Sequence, residues 1–365
     1  MKKTAHHLQS LDAFRGITIA SMIVVNNPGD WSNVFVQLLH SAWNGVTFAD
    51  LVFPAFVFIL GFVLPFAFAR RLEGGKPIPL LYARICQRAL SLFALGVVLN
   101  ATASLGALSA VRIPGVLQRL ALVYLCTALI VLHTETIGRI VTLIALVAVH
   151  TVLLVSIGQA LTPEDNLGSV IDAAVFGRHR LMPTDPEGLL GTLPSVAEAL
   201  IGVLAGQWIR RARGNWLRAC GFALAASVVV AVGCLWSVAL PLNKPLWTGS
   251  FVLFTAGIAA LAFTGCFVIV DTLHVRRWAQ PFEWLGVNPL AMYFLSEAIG
   301  HLLDYPWLRG GQLSVKTVLY WRWLEPNVAP LFGARGASLL FAVLYATIWI
   351  MVARLFYQRG LRIQV

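Results

Sequence analysis

The stretch TFADLVFPAFVFILGFVLPFAFA, residues 47–69, decides the fold class. Beyond Asp50 it carries no charge, and it is longer than the ~18–20 apolar residues that cross a bilayer's hydrocarbon core as a helix. Runs of the same kind recur at roughly 13–27, 84–102, 116–132, 139–157, 190–209, 217–239, 247–270, 285–303 and 337–356. The chain as a whole is 58% hydrophobic and only 12% charged. A water-soluble protein of this length could not cover its surface with so few charges, whereas lipid-facing surface needs none. The sequence therefore predicts an all-α integral membrane protein of about ten transmembrane helices. It forms a single polytopic domain over residues 1–365, with longer loops at 158–189 and 304–336.

The first run is short and stops at the breaker sequence Asn26-Asn27-Pro28-Gly29. Asp12 and Arg15 interrupt its entry and no small-x-small cleavage site follows, so it reads as a retained helix rather than a signal peptide. The net charge of +11 does not indicate nucleic acid. The bases sit in short clusters between apolar runs, with no nucleic-acid-binding motif, as the positive-inside rule requires. An N-in start places only Arg112, Arg119, Arg178, Arg180, Lys244, Arg309, Lys316, Arg322 and Arg335 on the far side, out of 27 Lys and Arg. Those nine lie among the longer loops, so both termini are expected in the cytoplasm (N-in/C-in). The aromatic and basic segment 315–323 suits a helix lying at the interface. The five cysteines form no CxxC pair and read as buried thiols, and the histidines show no metal spacing, so no metal is expected.

Polar residues within apolar spans cost a few kcal/mol each and are the natural candidates for function. Asp12 and Arg15 share a face of the first helix, which runs on to Asn26 and Asn27. Next come His40, Trp43 and Asp50, where the chain re-enters the membrane. A neutral imidazole accepts a proton near physiological pH, and a carboxylate beside it orients the ring. Further candidates are Arg112 and Arg119 at the mouth of the fourth helix, the carboxylates Asp185 and Glu187, Glu198, and the pair Glu297 and His301 with Asn288 below. Arg70, Arg71, Arg84 and Arg88 are basic enough to meet phosphates, although topology alone also accounts for them.

The run SLDAFRGITIASMIVVNNPG (10–29), followed by LLHSAWNGVTFADLVFPAFVFILG (38–61), closely resembles the heparan-alpha-glucosaminide N-acetyltransferase family and its bacterial homologues. The likeness continues in RIPGVLQRLALVY (112–124), DPEGLLGTLPS (185–195), LWTGSFVLFTAG (246–257) and WLGVNPLAMYFLSE (284–297). More distantly, the first helix is similar to the wider transmembrane acyltransferases that modify sugars.

The resemblance implies transfer of an acetyl group from cytosolic acetyl-CoA to an amino sugar or glycan across the membrane. It assigns the active histidine to His40 and the asparagine ending the first helix to Asn26, with Asn27 as the alternative register; as a catalytic residue Asn26 would donate from its amide to the thioester oxygen as negative charge develops. Asp50 would hold the imidazole tautomer, and Arg112, Arg119, Asn27, Trp43 and Glu297 would bind substrate. It further implies a bacterial inner-membrane location, the two long loops in the periplasm, and a homodimer. Without the animal enzyme's large lumenal domain, a bacterial amino sugar is expected rather than heparan sulfate. Direct transfer and a covalent acetyl-histidine are both compatible with these residues. The competing reading is an amino-sugar permease without transferase activity.

Overall fold

The computed structural model describes residues 8–72, 78–105, 109, 111–157, 161–212, 216–308 and 311–363. The side chains of Arg70 and Arg71, and all of Arg309, lie outside the described residues. Among the described residues thirteen α-helices follow one another: α1 (Gln9–Asn26), α2 (Phe48–Leu72), α3 (Ile78–Ala103), α4 (Val116–His133), α5 (Thr136–Ile157), α6 (Leu167–Phe176), α7 (Thr192–Ala212), α8 (Trp216–Trp236), α9 (Gly249–Cys266), α10 (Gln280–Val287), α11 (Pro289–Asp304), α12 (Val315–Val318) and α13 (Glu325–Gln358). No strand forms among the described residues. Two isolated bridges occur, of which Asn44–Asn243 matters below.

A helix meets each of the ten expected spans, and eight helices among the described residues are long and apolar enough to cross a membrane. The chain is an all-α membrane protein. The share of each span buried against protein separates the layers. The windows in α2 and α7 are each 67% buried, whereas those in α5 and α8 are only 17% and 22% buried. α2 and α7 therefore form the centre, and α5 and α8 turn apolar side chains such as Ile144, Val152, Leu224 and Val228 outward. With lipid as solvent, apolar burial gives helices little reason to associate, so small residues and close backbone packing do so instead. A Cβ at Gly61 of α2 would strike the Ala199 backbone of α7, and one at Gly202 would strike the Phe58 backbone. The contact between α1 and α10 is built alike, Gly16 against Phe282 and Gly286 against Asp12.

The expectation for the cysteines changes, and the two long segments gain detail. Cys86, Cys126, Cys220 and Cys234 are exposed on the outer surface and only Cys266 is buried, because an apolar lipid-facing position suits a thiol as well as a core one does. The 158–189 segment carries α6, whose N-terminus is closed by a capping box between Asn166 and Ser169. The 304–336 segment holds α12, a π-helical turn at Leu319–Leu324 and the start of α13. The helical run from Glu325 breaks at Gly333, whose φ of 74° is open to glycine and strained for other residues, so the spanning part of α13 begins beyond it.

Candidate active site

One end of the bundle collects the C-terminus of α1, the N-termini of α2, α4, α7 and α9, and the C-terminus of α11. Here Asp50, in the first turn of α2, is the centre of a tight loop. Its carboxylate accepts the backbone N–H groups of Ser41 at 3.0 Å and Thr47 at 3.1 Å, and lies 2.8 Å from His40 Nδ1. The helix N-terminus adds partial positive charge that favours the carboxylate. The Thr47 hydroxyl closes the loop by donating to the Leu39 carbonyl at 2.6 Å.

An ionised carboxylate only accepts, so His40 Nδ1 carries the proton and Nε2 carries the accepting lone pair. The exposure difference fits that division: the Asp50 side chain is 1% exposed and that of His40 is 53% exposed. The carboxylate is fixed inside and the imidazole ring is half exposed.

The residue that sequence reasoning missed is Lys244, counted there only as a charge on the far side. Its Nζ lies 3.1 Å from His40 Nδ1, 3.5 Å from Nε2 and 3.5 Å from Asp50 Oδ1. The loop between α8 and α9 delivers it. Asn243 donates to the Trp43 carbonyl at 3.1 Å and to Asn44 Oδ1 at 3.0 Å, and Gly45 N–H donates to the Leu242 carbonyl at 2.8 Å. The two loops are thus stitched together 200 residues apart in sequence. Trp247 closes the turn with φ of 52°, a left-handed conformation rare for a bulky residue. It is held there by the Arg119 guanidinium 5.0 Å from its ring and by donating to Glu198 Oε2 at 2.9 Å.

Burial pushes the Lys244 ammonium below the ordinary lysine value, with Asp50 and Glu187 opposing and Arg119 assisting. A lysine between Pro241 and Pro245, on the face poor in bases and just before a span, was the available signal.

Arg112, Arg119 and Trp43 are held by partners in the segment before α7. Arg112 Nε donates to Asp185 at 2.9 Å, and Arg112 also pairs through Nη2 with both Asp185 and Glu187. Burial works against ionising Asp185, but the Arg112 hydrogen bond and charge outweigh it and hold the carboxyl below its usual range. Arg119 is fully buried, donates to the Gly188 carbonyl at 2.6 Å, and packs where a Cβ on Gly191 would collide with it. Trp43 donates from its indole to the Leu161 carbonyl at 2.7 Å, which ties the His40 loop to the segment before α6.

Asn26 and Asn27 flank the buried Glu297 of α11 rather than His40. The Asn27 amide donates to the Ile23 carbonyl at 3.0 Å, and no hydrogen bond joins either asparagine to His40 among the described residues. His301 pairs with Thr102 at 2.9 Å instead of with Glu297. Asn288 donates to the Leu361 carbonyl at 2.9 Å and so anchors the C-terminal segment. At the opposite end of the bundle Arg88 stacks 4.7 Å from the Tyr124 ring and Arg15 lies 3.3 Å from Asp12. No group of three or more metal-ligating side chains occurs among the described residues.

Comparison with known proteins bears on this arrangement. Residues 8–237, which include His40, Asp50, Arg112, Arg119 and Glu198, match the family model described as heparan-alpha-glucosaminide N-acetyltransferase, catalytic. The mouse heparan-alpha-glucosaminide N-acetyltransferase is 25% identical over 99% of this chain and 61% of its own length. The human protein of the same name is 28% identical over 82% of this chain and 54% of its own length. The chain thus spans between about half and three fifths of the relatives it matches. The chain belongs to the heparan-alpha-glucosaminide N-acetyltransferase family.

Proposed function

We propose that this protein is a transmembrane acetyltransferase that moves an acetyl group from acetyl-CoA to the amine of an amino sugar or glycan, with His40 as general base. The observation that carries the reading is the 2.8 Å contact between His40 Nδ1 and buried Asp50, which leaves Nε2 open on an exposed ring. An amine close to Nε2 gives up its proton to the ring as its nitrogen attacks the thioester carbonyl carbon. The tetrahedral intermediate then collapses with cleavage of the C–S bond, and the imidazolium returns the proton to sulfur. The products are an N-acetyl sugar and free CoA.

The charge asymmetry supports cytoplasmic termini, with the His40 end on the periplasmic side of a bacterial inner membrane. Acetyl-CoA cannot cross a bilayer, so its pantetheine arm would reach His40 between helices from the cytoplasm. Arg112, Arg119, Asn27, Trp43 and Glu297 are the proposed substrate contacts, and Asn26 is proposed as a catalytic donor to the thioester oxygen.

The test uses the full chain in proteoliposomes supplied with acetyl-CoA and a panel of amino sugars, measuring free CoA and N-acetylated product. His40→Ala should lower the rate by about 10²- to 10⁴-fold while the protein stays folded. Full activity in that variant sinks the assignment. Uptake of labelled amino sugar with no CoA release would favour a permease.

A further inference from the structure

Lys244 is a buried amine placed directly on the proposed base. Its Nζ lies 3.1 Å from His40 Nδ1 and 3.5 Å from Nε2, so the longer contact is the one to Nε2. Nε2 is the less engaged ring nitrogen and the one that substrate can meet. Its one carboxylate neighbour among the described ion pairs is Asp50, at a long 3.5 Å, and Asp50 is already committed to His40, Ser41 and Thr47. The Lys244 side chain is 9% exposed. A desolvated ammonium whose one ion-pair partner is shared with His40 and two backbone N–H groups is expensive to hold, and here a left-handed Trp247 and a two-loop hydrogen-bond network hold it. Such an arrangement suits a group waiting for negative charge that appears only during reaction.

We propose that Lys244 is a catalytic residue that binds the acetyl thioester's carbonyl oxygen and holds it as it becomes an oxyanion. The inference rests on the reading of His40 as base. When the amine nitrogen bonds to the carbonyl carbon, the carbonyl π pair moves to oxygen and the amine proton moves to His40 Nε2. The ammonium, 3.5 Å from Nε2, is in range of an oxygen one bond from the carbon under attack. When the C–S bond breaks, the oxygen pair re-forms the carbonyl, the thiolate takes the proton from His40, and Lys244 is unchanged. A neutral Lys244 acting as nucleophile would instead trap the acetyl group as a stable amide and end turnover. The ammonium role is the one compatible with repeated transfer.

The test compares binding of CoA and of carboxymethyl-CoA, whose carboxylate puts negative oxygen near the place of the thioester carbonyl, to the full chain in nanodiscs. Wild type should bind carboxymethyl-CoA about 10-fold or more tighter than CoA. Lys244→Met should abolish that preference while binding CoA as before, and Lys244→Gln provides a second neutral variant should the first misfold. In turnover both should lower kcat about 10²- to 10³-fold with little change in KM for acetyl-CoA. If wild type shows no preference, or either folded variant keeps it, Lys244 holds no oxyanion and the His40 reading stands. If wild type binds neither compound, the acetyl-CoA reading falls and this inference falls with it.

Discussion

The Arg119 guanidinium stacks 5.0 Å from the Trp247 ring, and both residues are fully buried. Arg119 belongs to α4 and Trp247 to the loop before α9, so this contact anchors the loop that carries Lys244 to the bundle. Cation–π contacts contribute about 0.5–2 kcal/mol, more when desolvated. Arg119→Met should therefore lower thermal stability and reduce kcat more than KM, since the loop stays attached but loses its set of the Lys244 position. Unchanged kcat in a folded Arg119→Met protein would show that the loop holds Lys244 without the stack.

Asp50 fixes the proton on His40 Nδ1, so Asp50→Asn should present an amide that no longer enforces that tautomer. The expected loss in kcat is about 10²-fold or more, with substrate affinity little altered. The substitution also removes the carboxylate that opposes depression of the Lys244 pKa. A variant with wild-type kcat would mean that the ring is oriented by another group.

The spans were legible in the sequence because length and apolarity are local properties, and α2 could be read from 23 consecutive letters. The His40–Asp50 pair was nearly as legible, since ten positions and one loop separate the two residues. Lys244 is 204 positions from His40, and no spacing rule links them. Only the fold brings their loops together, through Asn243 and Trp43. Asn26 was placed with the histidine by resemblance, whereas the structure sets it beside Glu297, and that neighbour depends on how α1 packs on α11. The last span reads in the sequence as starting at 337, beyond the break at Gly333, whereas the helical turns before that break follow from no apolar run.

Replacing Gly202 by leucine should test the central contact between α2 and α7. The Phe58 backbone occupies the place of a Cβ there, so the helices must separate. Overpacking of this kind costs about 1–3 kcal/mol, and here the obstacle is backbone that has no rotamer to change. The melting midpoint in detergent should fall, with loss of activity following unfolding rather than preceding it. A Gly202→Leu protein as stable as wild type would show that the two helices are held elsewhere.

The ion pair of Arg112 with Asp185 and Glu187 should contribute mainly to stability, with a predictable pH window. Asp185 is held below its ordinary value of 3.8 by Arg112, so its contribution is full above that value and fades as pH falls through the lower folded one. Arg112→Met leaves two carboxylates facing each other, largely desolvated, at a cost of about 3–5 kcal/mol. In the variant the buried, facing carboxylates favour taking up a proton, so the melting difference between wild type and variant should be largest at about pH 7 to 8 and shrink as the pH is lowered towards the wild-type window. A difference that stays constant down to about pH 4 would show that the carboxylates are relieved by another group.

Lys244 supplies the pH signature of catalysis. The charged groups facing it are Asp50 from α2, Glu187 and Arg119, with the His40 ring against it. Burial is the largest influence and lowers its pKa below 10.5, with the two carboxylates resisting and Arg119 adding to the fall. A cation is present below its pKa and lost above it. If the ammonium holds the oxyanion, kcat should fall as pH rises through this depressed value, giving an alkaline limb below that of an ordinary lysine. Lys244→Arg replaces the ammonium with a guanidinium that stays charged throughout the accessible range, since arginine titrates above about 12. Its kcat should be reduced by the changed geometry, yet the alkaline limb should disappear or move upward by a unit or more. Initial rates corrected for spontaneous thioester hydrolysis provide the measurement. An alkaline limb left in place by Lys244→Arg would assign it to another group, such as the acceptor amine or the CoA thiol.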